Sequence, residues 1–203
     1  MLRLYGITQS RAFRALWLLH ELGLPYEHVK LDYRDGPLDD PDYLALNPNG
    51  RIPTLVDGEL VLYESMAINL YLARRYGVQA GLWPDSIEGE ALAWQWSFWV
   101  MSEVEIPLLT VLMHRRVLPE DKRVAAKASR NLGLLKAPFG VLNRSLAGRD
   151  HLLGGGFTVA DLNVAAVLSW CKPAGLTLDE HPHLAAWLGR CLGRPARRQA
   201  QAV

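Results

Sequence analysis

The chain has few cysteines, no excess of charge of one sign and no long apolar run. Its two cysteines, Cys171 and Cys191, form no C-x-x-C pair and cannot make a disulfide framework, so we expect a reducing compartment. Lys and Arg number 22 and Asp and Glu number 21 among 203 residues, which gives a net charge of +1. Because a protein that neutralises phosphates usually has a basic excess, nucleic acid is not an expected partner.

Apolar residues make up 50% of the chain, which is enough for a full core. The longest apolar run near the start, residues 15–19, is flanked by Arg14 and by His20 and Glu21. This run is far short of the ~20 residues that span a bilayer, and no secretory apolar region is present. We therefore expect no targeting or membrane-spanning segment and a cytoplasmic location.

Hydrophobic alternation in the first 76 residues predicts an α/β unit. Residues 2–5 and 28–31 alternate apolar and polar side chains as strands do. Between them, apolar residues from 12 to 22 recur every three or four positions, and Gly23 and Pro25 follow where a helix should end. Two strands joined by one helix are expected to be parallel.

A hairpin and a further helix complete this unit. The apolar runs 54–56 and 60–62 are joined by Asp-Gly-Glu, and Asp-Gly between such runs is typical of a β-hairpin. A helix is predicted over 65–76. The turn-forming residues 32–49 predict a loop with a short helix at 42–46.

Beyond residue 76 the sequence predicts only helices. Glycine and proline make residues 77–86 loop-like, and helical patterns follow at 87–118, 119–147, 158–170 and 181–192. We therefore predict two domains, an α/β domain over 1–76 and an all-helical domain over 87–203. Residues 77–86 are predicted to be the linker.

Two hydroxyl residues, Thr8 and Ser10, lie between the first predicted strand and the first predicted helix. Hydroxyls at such a place are ordinary helix N-caps, and this structural role is the commoner one. The functional alternative is that a hydroxyl and helix N-terminal amides converge where a small anion could bind.

Two further places allow both a structural and a functional explanation. Pro53 at a strand start can be an edge feature, or a cis Ile52–Pro53 bond can turn the main-chain groups of Ile52 outward to pair with a peptide. Ser65, which follows Glu64, is expected in the first turn of its helix. A helix N-terminus with a free hydroxyl also suits a carboxylate ligand.

Three segments in this order resemble the cytosolic glutathione transferases. They are S-R-A-F-R-A-L-W-L-L-H-E-L-G-L-P-Y-E from residue 10, L-N-P-N-G-R-I-P-T-L-V-D-G from residue 46 and L-Y-E-S-M-A-I-N-L-Y-L from residue 62. The resemblance covers the whole chain and implies an α/β thioredoxin-like N-terminal domain followed by an all-α helical C-terminal domain. Thr158 and Asp161, after Phe157, are similar to the family's buried N-capping box, which is a structural feature.

The resemblance also implies a groove that binds glutathione. Ile52, next to a cis Pro53, would pair through its backbone with the cysteinyl part of glutathione. Glu64 and Ser65 would hold the γ-glutamyl amine and carboxylate. Arg51 stands where the family often has Lys or Gln near the glycyl carboxylate.

Ser10 is the hydroxyl that the resemblance implies at the glutathione thiol, with Thr8 of the same loop as the alternative. No cysteine occupies this loop, and Tyr5 lies inside the predicted strand. The chain therefore resembles a bacterial, serine/threonine-type member of the family, and a cysteine- or tyrosine-type member is not expected. Mixed-disulfide chemistry and a Ser-Ser-Cys isomerase loop are not expected either.

The implied function is a glutathione transferase that activates the thiol for attack on small apolar electrophiles, as in detoxification. Glutathione would be the co-substrate, and a homodimer is expected from the resemblance. No metal is expected, since His181 and His183 have no third ligand at a useful spacing. The alternatives are a glutathione-dependent reductase, peroxidase or isomerase, and a non-catalytic protein of the same fold that binds glutathione or another ligand.

Overall fold

The computed structural model describes residues 1–34, 36 and 38–203. They divide into two compact units, the first formed by residues 1–83 together with 194–203 and the second by residues 84–193. The first unit combines a sheet with helices and the second is helical. The predicted fold class is therefore confirmed.

The first unit is built on a four-stranded mixed sheet with the strand order β2-β1-β3-β4. The strands are β1 Leu2–Tyr5, β2 Tyr26–Val29, β3 Thr54–Asp57 and β4 Leu60–Tyr63. β1 and β2 are parallel, as predicted, and β3 runs antiparallel to both β1 and β4. β2 begins two residues earlier than predicted because its ladder with β1 starts at Tyr26, which pairs with Leu2.

The sequence also predicts the helices beside this sheet. They are α1 Ala12–Leu22, α2 Pro41–Leu46 and α3 Ser65–Tyr76. Gly23 ends α1 with φ 62°, a left-handed conformation that glycine adopts without a steric penalty. The part of the predicted loop at Asp35 and Pro37 lies outside the described residues.

The core of the first unit joins the sheet to α1 and α3. Leu4 of β1, Leu55 of β3, Leu16 of α1 and Ile68 of α3 are at most 1% exposed. Each such side chain contributes about 1.5–3 kcal/mol when it is fully buried. This packing fixes the helix starts of α1 and α3 relative to the strand ends that precede them.

The second unit is helical throughout its regular structure. Its helices are α4 Ile87–Trp99, α5 Ile106–Leu112, α6 Ala125–Ser145, α7 Val159–Leu168 and α8 Pro182–Leu192. α4 and α5 belong to one helical stretch, Ile87–Val117, in which Val100–Glu105 and Met113–Val117 have π-helical hydrogen bonding. Every residue of α7 is buried, and this helix packs against α4 and α8.

α7 begins with the predicted capping box. The Thr158 hydroxyl accepts a hydrogen bond from the Ala160 N–H at 3.3 Å, and Asp161 Oδ2 accepts one from the Thr158 N–H at 3.1 Å. Asp161 Oδ1 accepts further bonds from the Leu152 N–H at 2.9 Å and the Trp187 indole N–H at 2.8 Å. Since Asp161 is fully buried, these bonds replace its hydration and give it a structural role.

The C-terminal helix, α9 Pro195–Gln201, is not predicted by the sequence. It packs against α1, and the Arg194 guanidinium donates to both carboxylate oxygens of Glu21, at 2.6 and 2.7 Å. Residues 194–203 therefore lie in the first unit, whereas the sequence prediction includes them in a helical domain over 87–203. α9 buries only Ala196 and Ala200, which is too weak a hydrophobic pattern to predict a helix.

The stretch Ile87–Val117 is long and apolar enough to cross a membrane by length and composition. A single helix of this kind is a weak indication, because the core helices of soluble proteins meet the same criterion. This helix also contains Glu103 and the fully buried Glu105. The expectation of no membrane-spanning segment stays a prediction.

Candidate functional site

The sheet register brings three predicted site segments to the same end of the strands. Tyr5, the last residue of β1, pairs with Thr54 at the start of β3, and Thr54 also pairs with Tyr63 at the end of β4. The loop after β1, the residues before β3 and the residues after β4 are therefore neighbours. These segments contain Thr8 and Ser10, Arg51 to Pro53, and Glu64 with Ser65.

Gly6 lets the loop after β1 approach Ile52. Its φ is +136°, and a Cβ at this position would lie 2.6 Å from the Cβ of Ala12 and 3.3 Å from the Cβ of Ile52. Only glycine fits here without a shift of its neighbours. The Gly6 carbonyl also accepts a hydrogen bond from Nε2 of His28 at 2.8 Å, which ties the start of this loop to β2.

Ser10 is half-buried at the N-terminal end of α1. Its oxygen accepts a hydrogen bond from the Ala12 N–H at 3.0 Å, and its hydroxyl donates to the Ile7 carbonyl at 2.7 Å. The Ser10 oxygen thus has the local structural role of a hydroxyl at a helix start. Because an O–H turns about its C–O bond, the proton is also available to a stronger acceptor.

Thr8, the alternative hydroxyl of this loop, has a different partner. Its hydroxyl donates to the main-chain carbonyl of Val203 at 2.9 Å. Val203 follows α9, so this bond joins the loop to the C-terminal segment of the first unit. Thr8 and Ser10 therefore lie close in sequence but donate to different parts of the chain.

The Ile52–Pro53 peptide bond is cis, as predicted. Ile52 is half-buried and Pro53 is buried. Within the described residues, neither the N–H nor the carbonyl of Ile52 forms a hydrogen bond. An unpaired main-chain donor and acceptor next to a sheet suit an extended peptide, which can pair with both.

Two side chains that the sequence analysis does not identify hold the turn before Ile52. The Tyr43 hydroxyl donates to the Arg51 carbonyl at 2.6 Å, and the Asn47 amide donates to the same carbonyl at 2.7 Å. Burial raises the pKa of Tyr43 above its ordinary value, although hydrogen bonds with Thr54 and Asn47 act in the opposite direction. The Tyr43 hydroxyl therefore remains a donor at neutral pH.

The N-terminus of α3 has no side-chain cap. Its first intrahelical hydrogen bond runs from the Ile68 N–H to the Glu64 carbonyl at 3.0 Å, so the N–H groups of Ser65, Met66 and Ala67 have no partner within the helix. Glu64 is exposed and has φ 71°, a left-handed conformation that is uncommon outside glycine. The unpaired amides and the helix dipole favour an anion at this helix end.

Arg14, a second feature that the sequence analysis does not identify, contacts this helix end from α1. It is 2% exposed, and its Nη1 donates to the Ser65 oxygen at 3.1 Å. The Asn69 amide of α3 donates to the Arg14 carbonyl at 3.2 Å. The signal in the sequence is a charged residue between the apolar residues of a predicted helix, and only the packing of α1 against α3 shows its partner.

The domain models described as glutathione S-transferase, N-terminal domain, and glutathione S-transferase, C-terminal domain, match residues 1–74 and 100–195. The chain belongs to the glutathione S-transferase family. Glutathione S-transferase GstB of Escherichia coli strain K12 is 35% identical to it over 202 residues, which are 98% of this chain and 97% of the relative. The predicted family, enzyme class and thioredoxin-like N-terminal domain are therefore confirmed.

Solved structures of other proteins with bound glutathione resemble the whole chain. The theta class glutathione S-transferase from Xanthomonas axonopodis pv. citri, with glutathione bound, has a TM-score of 0.91 and 31% identity and covers 100% of this chain and 97% of its own. Ure2p in complex with glutathione has a TM-score of 0.87 and 25% identity, with coverages of 100% and 93%.

The remaining candidates in this glutathione transferase are Arg51, the two cysteines and a possible metal site. Arg51 is exposed. Cys171 and Cys191 are buried in the second unit and form no disulfide, and burial raises the pKa of Cys171 to about 12. Within the described part of the chain, no three or more His, Cys, Asp or Glu side chains are grouped to hold a metal ion.

Proposed function

We propose that this glutathione transferase binds glutathione at the strand ends of its first unit and activates the thiol with Ser10 for attack on a small apolar electrophile. The observation that carries this proposal is the strand pairing that aligns Tyr5 of β1, Thr54 of β3 and Tyr63 of β4 at one end of the sheet. It brings together a hydroxyl, an unpaired main-chain segment and an uncapped helix N-terminus. These are the three groups that a thiol-containing peptide with a terminal carboxylate requires.

Each part of glutathione has a chemically matched partner in this proposal. The γ-glutamyl carboxylate binds the Ser65 hydroxyl and the first amides of α3, and the γ-glutamyl amine binds the Glu64 carboxylate. The cysteinyl backbone pairs with the N–H and carbonyl of Ile52. The exposed Arg51 guanidinium binds the glycyl carboxylate.

Thiolate formation is the physical requirement of the reaction. A thiol of pKa ~8.5 is only a few per cent ionised at pH 7. Lowering that pKa by about 2 units requires about 2.7 kcal/mol of preferential thiolate stabilisation. A hydrogen bond to a charged acceptor contributes about 1.5–3 kcal/mol, against about 0.5–1.5 kcal/mol for a neutral one. The Ser10 O–H therefore gains free energy when it exchanges its hydrogen bond to the Ile7 carbonyl for one to a thiolate.

In the reaction itself, the glutathione sulfur forms a bond to an electrophilic carbon of the second substrate. The leaving group departs with the electron pair of the bond that breaks, or an addition product takes up a proton from water. Ser10 donates a hydrogen bond and removes no proton, so it requires no histidine partner. The thiol proton leaves to solvent as the thiolate forms.

Glutathione-dependent reduction, peroxidase or isomerase chemistry is the less favoured alternative. The loop after β1 has no cysteine, and both cysteines of the chain are buried in the second unit. A non-catalytic binding role is a distinct alternative. It is favoured by the likeness to Ure2p, a yeast prion protein whose nitrogen regulation fragment has been solved.

The homodimer and the cytoplasmic location belong to this proposal as well. The near-balanced charge and the two reduced cysteines support an intracellular protein. Three apolar side chains on one face of α4, those of Ile87, Trp94 and Phe98, are 81%, 46% and 66% exposed. An apolar row of this kind is typical of an interface, and a second copy of this chain is the occupant that the family resemblance suggests.

Glutathione titration calorimetry tests the binding site directly. We expect Ser65→Ala, and more strongly Glu64→Ala, to weaken glutathione binding, since a lost hydrogen bond to a charged group costs roughly 1.5–3 kcal/mol. Ser86→Ala is the matched control because Ser86 caps the N-terminus of α4 in the second unit. Unchanged affinity in both site variants would rule out this site.

The same preparations are then tested with glutathione and a panel of electrophiles, including an aryl halide, an unsaturated aldehyde and an organic hydroperoxide. Turnover of the aryl halide or the aldehyde with loss of the glutathione thiol supports the transferase. Turnover of the hydroperoxide alone supports the peroxidase alternative. Tight glutathione binding without turnover of any compound supports the non-catalytic alternative.

A further inference from the structure

His28 of β2 holds a main-chain carbonyl that the strand ladder leaves without a donor. The parallel ladder of β1 and β2 ends where Tyr5 pairs with Val29, and the Gly6 N–H then donates to the Val29 carbonyl at 3.0 Å. Gly6 is buried, so its own carbonyl also needs a donor. Among residues 1–34, 36 and 38–203 no main-chain N–H donates to this carbonyl, and Nε2 of His28 lies 2.8 Å from it instead.

The chemistry of this bond fixes which nitrogen of His28 has a proton. A carbonyl oxygen only accepts hydrogen bonds, so Nε2 must donate. The other ring nitrogen, Nδ1, is buried, and in the portion of the chain that the structure describes it has no hydrogen-bond partner. A buried polar atom without a partner lowers stability, so the imidazole is a costly choice at this place. What it supplies in return is the bond to Gly6.

Gly6 is the point in the loop after β1 where such a bond matters most. A Cβ at this position would lie too close to Ala12 and Ile52, so the position requires glycine. Glycine also has the widest choice of backbone conformations, and the φ of Gly6 is +136°. A hydrogen bond from a ring that is held in the sheet removes part of this freedom.

The restraint on Gly6 reaches Ser10 through one residue. The carbonyl of Ile7, which is the next residue, accepts both the Ser10 N–H at 3.2 Å and the Ser10 hydroxyl at 2.7 Å. Because a peptide group is planar, the direction of the Gly6 carbonyl sets the direction of the Ile7 N–H and the start of the turn that Ser10 closes. Without the His28 bond this turn, and Ser10 with it, can rotate.

We propose that His28 is a positioning residue for the Ser10 hydroxyl, because its Nε2–H fixes the peptide group between Gly6 and Ile7. This inference rests on the proposed function and goes beyond it, because it adds a residue of β2 that contacts neither glutathione nor the electrophile. Its effect reaches the thiolate only through Ser10. His28 therefore influences ionisation of the bound thiol and leaves glutathione affinity nearly unchanged.

The experiment compares two variants of His28, each made in the wild type and in Ser10→Ala. His28→Phe keeps a ring and removes the donor, whereas the amide nitrogen of His28→Gln can take the place of Nε2. Ultraviolet titration gives the pKa of the bound thiol, calorimetry gives the affinity, and turnover is measured against pH. His20→Phe is the matched control, because Nε2 of His20 contacts the Tyr26 hydroxyl in the same unit and not Gly6.

We expect His28→Phe to raise the pKa of the bound thiol by about half to one unit and to lower turnover near pH 7 about three- to tenfold, with recovery at high pH. His28→Gln should stay within about twofold of the wild type. In Ser10→Ala, His28→Phe should cause no further rise of the thiol pKa. His20→Phe should leave the thiol pKa unchanged.

Other results would overturn the inference. An equal rise of the thiol pKa with and without Ser10 would show that His28 does not act through Ser10. A lower melting temperature with an unchanged thiol pKa would show a structural role only. A loss in His28→Gln as large as that in His28→Phe would show that the Nε2 donor is not the cause.

Failure of the proposed function gives a different pattern. If Ser10→Ala itself leaves the thiol pKa unchanged, the role of Ser10 is rejected and the inference falls with it. If circular dichroism shows that His28→Phe is unfolded, His28→Leu and His28→Asn take its place, since neither has a donor at the position of Nε2. The coupling to Ser10 must then appear in whichever variant folds.

Discussion

Ser10 has a local structural role at the start of α1, and the proposed function gives the same side chain a catalytic role. Its hydroxyl oxygen accepts a hydrogen bond from the Ala12 N–H at 3.0 Å, and its O–H donates one to the Ile7 carbonyl at 2.7 Å. The first bond holds the oxygen in place, and in the proposed function the O–H turns from the Ile7 carbonyl to the thiolate. The Thr8 hydroxyl instead donates to the Val203 carbonyl of the C-terminal segment at 2.9 Å.

At the residue scale we therefore predict that Ser10→Ala raises the pKa of the bound glutathione thiol by about one to two units. Turnover near pH 7 should fall roughly ten- to a hundredfold, and it should recover partly at high pH, where the thiol ionises unaided. Glutathione affinity should change little. Ultraviolet titration of the thiolate in the binary complex measures the pKa.

Thr8→Val is the control for this prediction, since valine keeps the shape of threonine and removes the hydroxyl. A raised thiol pKa in Thr8→Val with none in Ser10→Ala would move the catalytic role to Thr8. If neither variant raises it, helix amides alone stabilise the thiolate, and no side-chain donor is involved.

At the scale of a single element, the start of α7 depends on the fully buried carboxylate of Asp161. Asp161 accepts hydrogen bonds from its own capping box and also from Leu152 and the Trp187 indole, which lie outside α7. The carboxylate thus joins the start of α7 to the preceding loop and to α8. A second polar contact, from the Asn163 amide to the Ser97 hydroxyl at 2.9 Å, joins α7 to α4.

We predict that Asp161→Ala lowers the free energy of unfolding by roughly 2–5 kcal/mol, because it leaves several buried donors without an acceptor. The melting temperature should fall by about 2–4 °C for each kcal/mol lost. Glutathione affinity should be unchanged. Ser86→Ala, an exposed N-cap, is the comparison and should cost only about 0.5–2 kcal/mol. A collapse of affinity with an unchanged melting temperature would make Asp161 a site residue.

At the scale of the whole molecule, the chain leaves the first unit at residue 83 and returns to it at residue 194. The returning segment is fixed to α1 by the bonds between Arg194 and Glu21 and by the stacking of Arg197 on Phe13 at 5.8 Å. Glu21 also accepts a bond from the Trp17 indole at 2.9 Å. The sheet unit is therefore completed by residues from the opposite end of the sequence.

We predict that Glu21→Gln destabilises the protein by about 1–3 kcal/mol, since it weakens an ion pair whose carboxylate is 6% exposed. Thermal unfolding followed by circular dichroism measures the loss. Glu27→Gln is the matched control, because Glu27 lies exposed on β2 and should change stability by less than about 0.5 kcal/mol. Equal losses in the two variants would contradict a stabilising role for the returning segment.

The proposed homodimer is also a statement about the whole molecule. Light scattering at micromolar concentration should give about twice the chain mass of 22.7 kDa. Phe98→Asp should favour the monomer, because it puts a charge on the exposed face of α4 that also contains Ile87 and Trp94. A mass of one chain for the wild type would refute the dimer, and an unchanged dimer in Phe98→Asp would move the interface elsewhere.

Much of this protein is determined locally and can be predicted from the sequence. α1 and its end at Gly23, the hairpin of β3 and β4, α3, and the capping box of α7 each depend on residues within a few positions of one another. The cis Ile52–Pro53 bond and the site segments were predicted through the family resemblance, whose motifs are short and continuous. Local signals of this kind survive in a single sequence because the interacting residues are neighbours in the chain.

The tertiary structure decided what depends on residues far apart. Arg14 meets Ser65 across 51 positions, Arg194 meets Glu21 across 173, and Thr8 meets Val203 across 195. α9 is a further case, because its two buried alanines make a weak pattern until α1 packs against them. The sequence by itself predicted the three segments of the candidate site, whereas Tyr43, Asn47 and Arg14 were found there only in the folded chain. Only the pairing of β1, β3 and β4 brought the three segments together, because strand register depends on packing of the whole sheet.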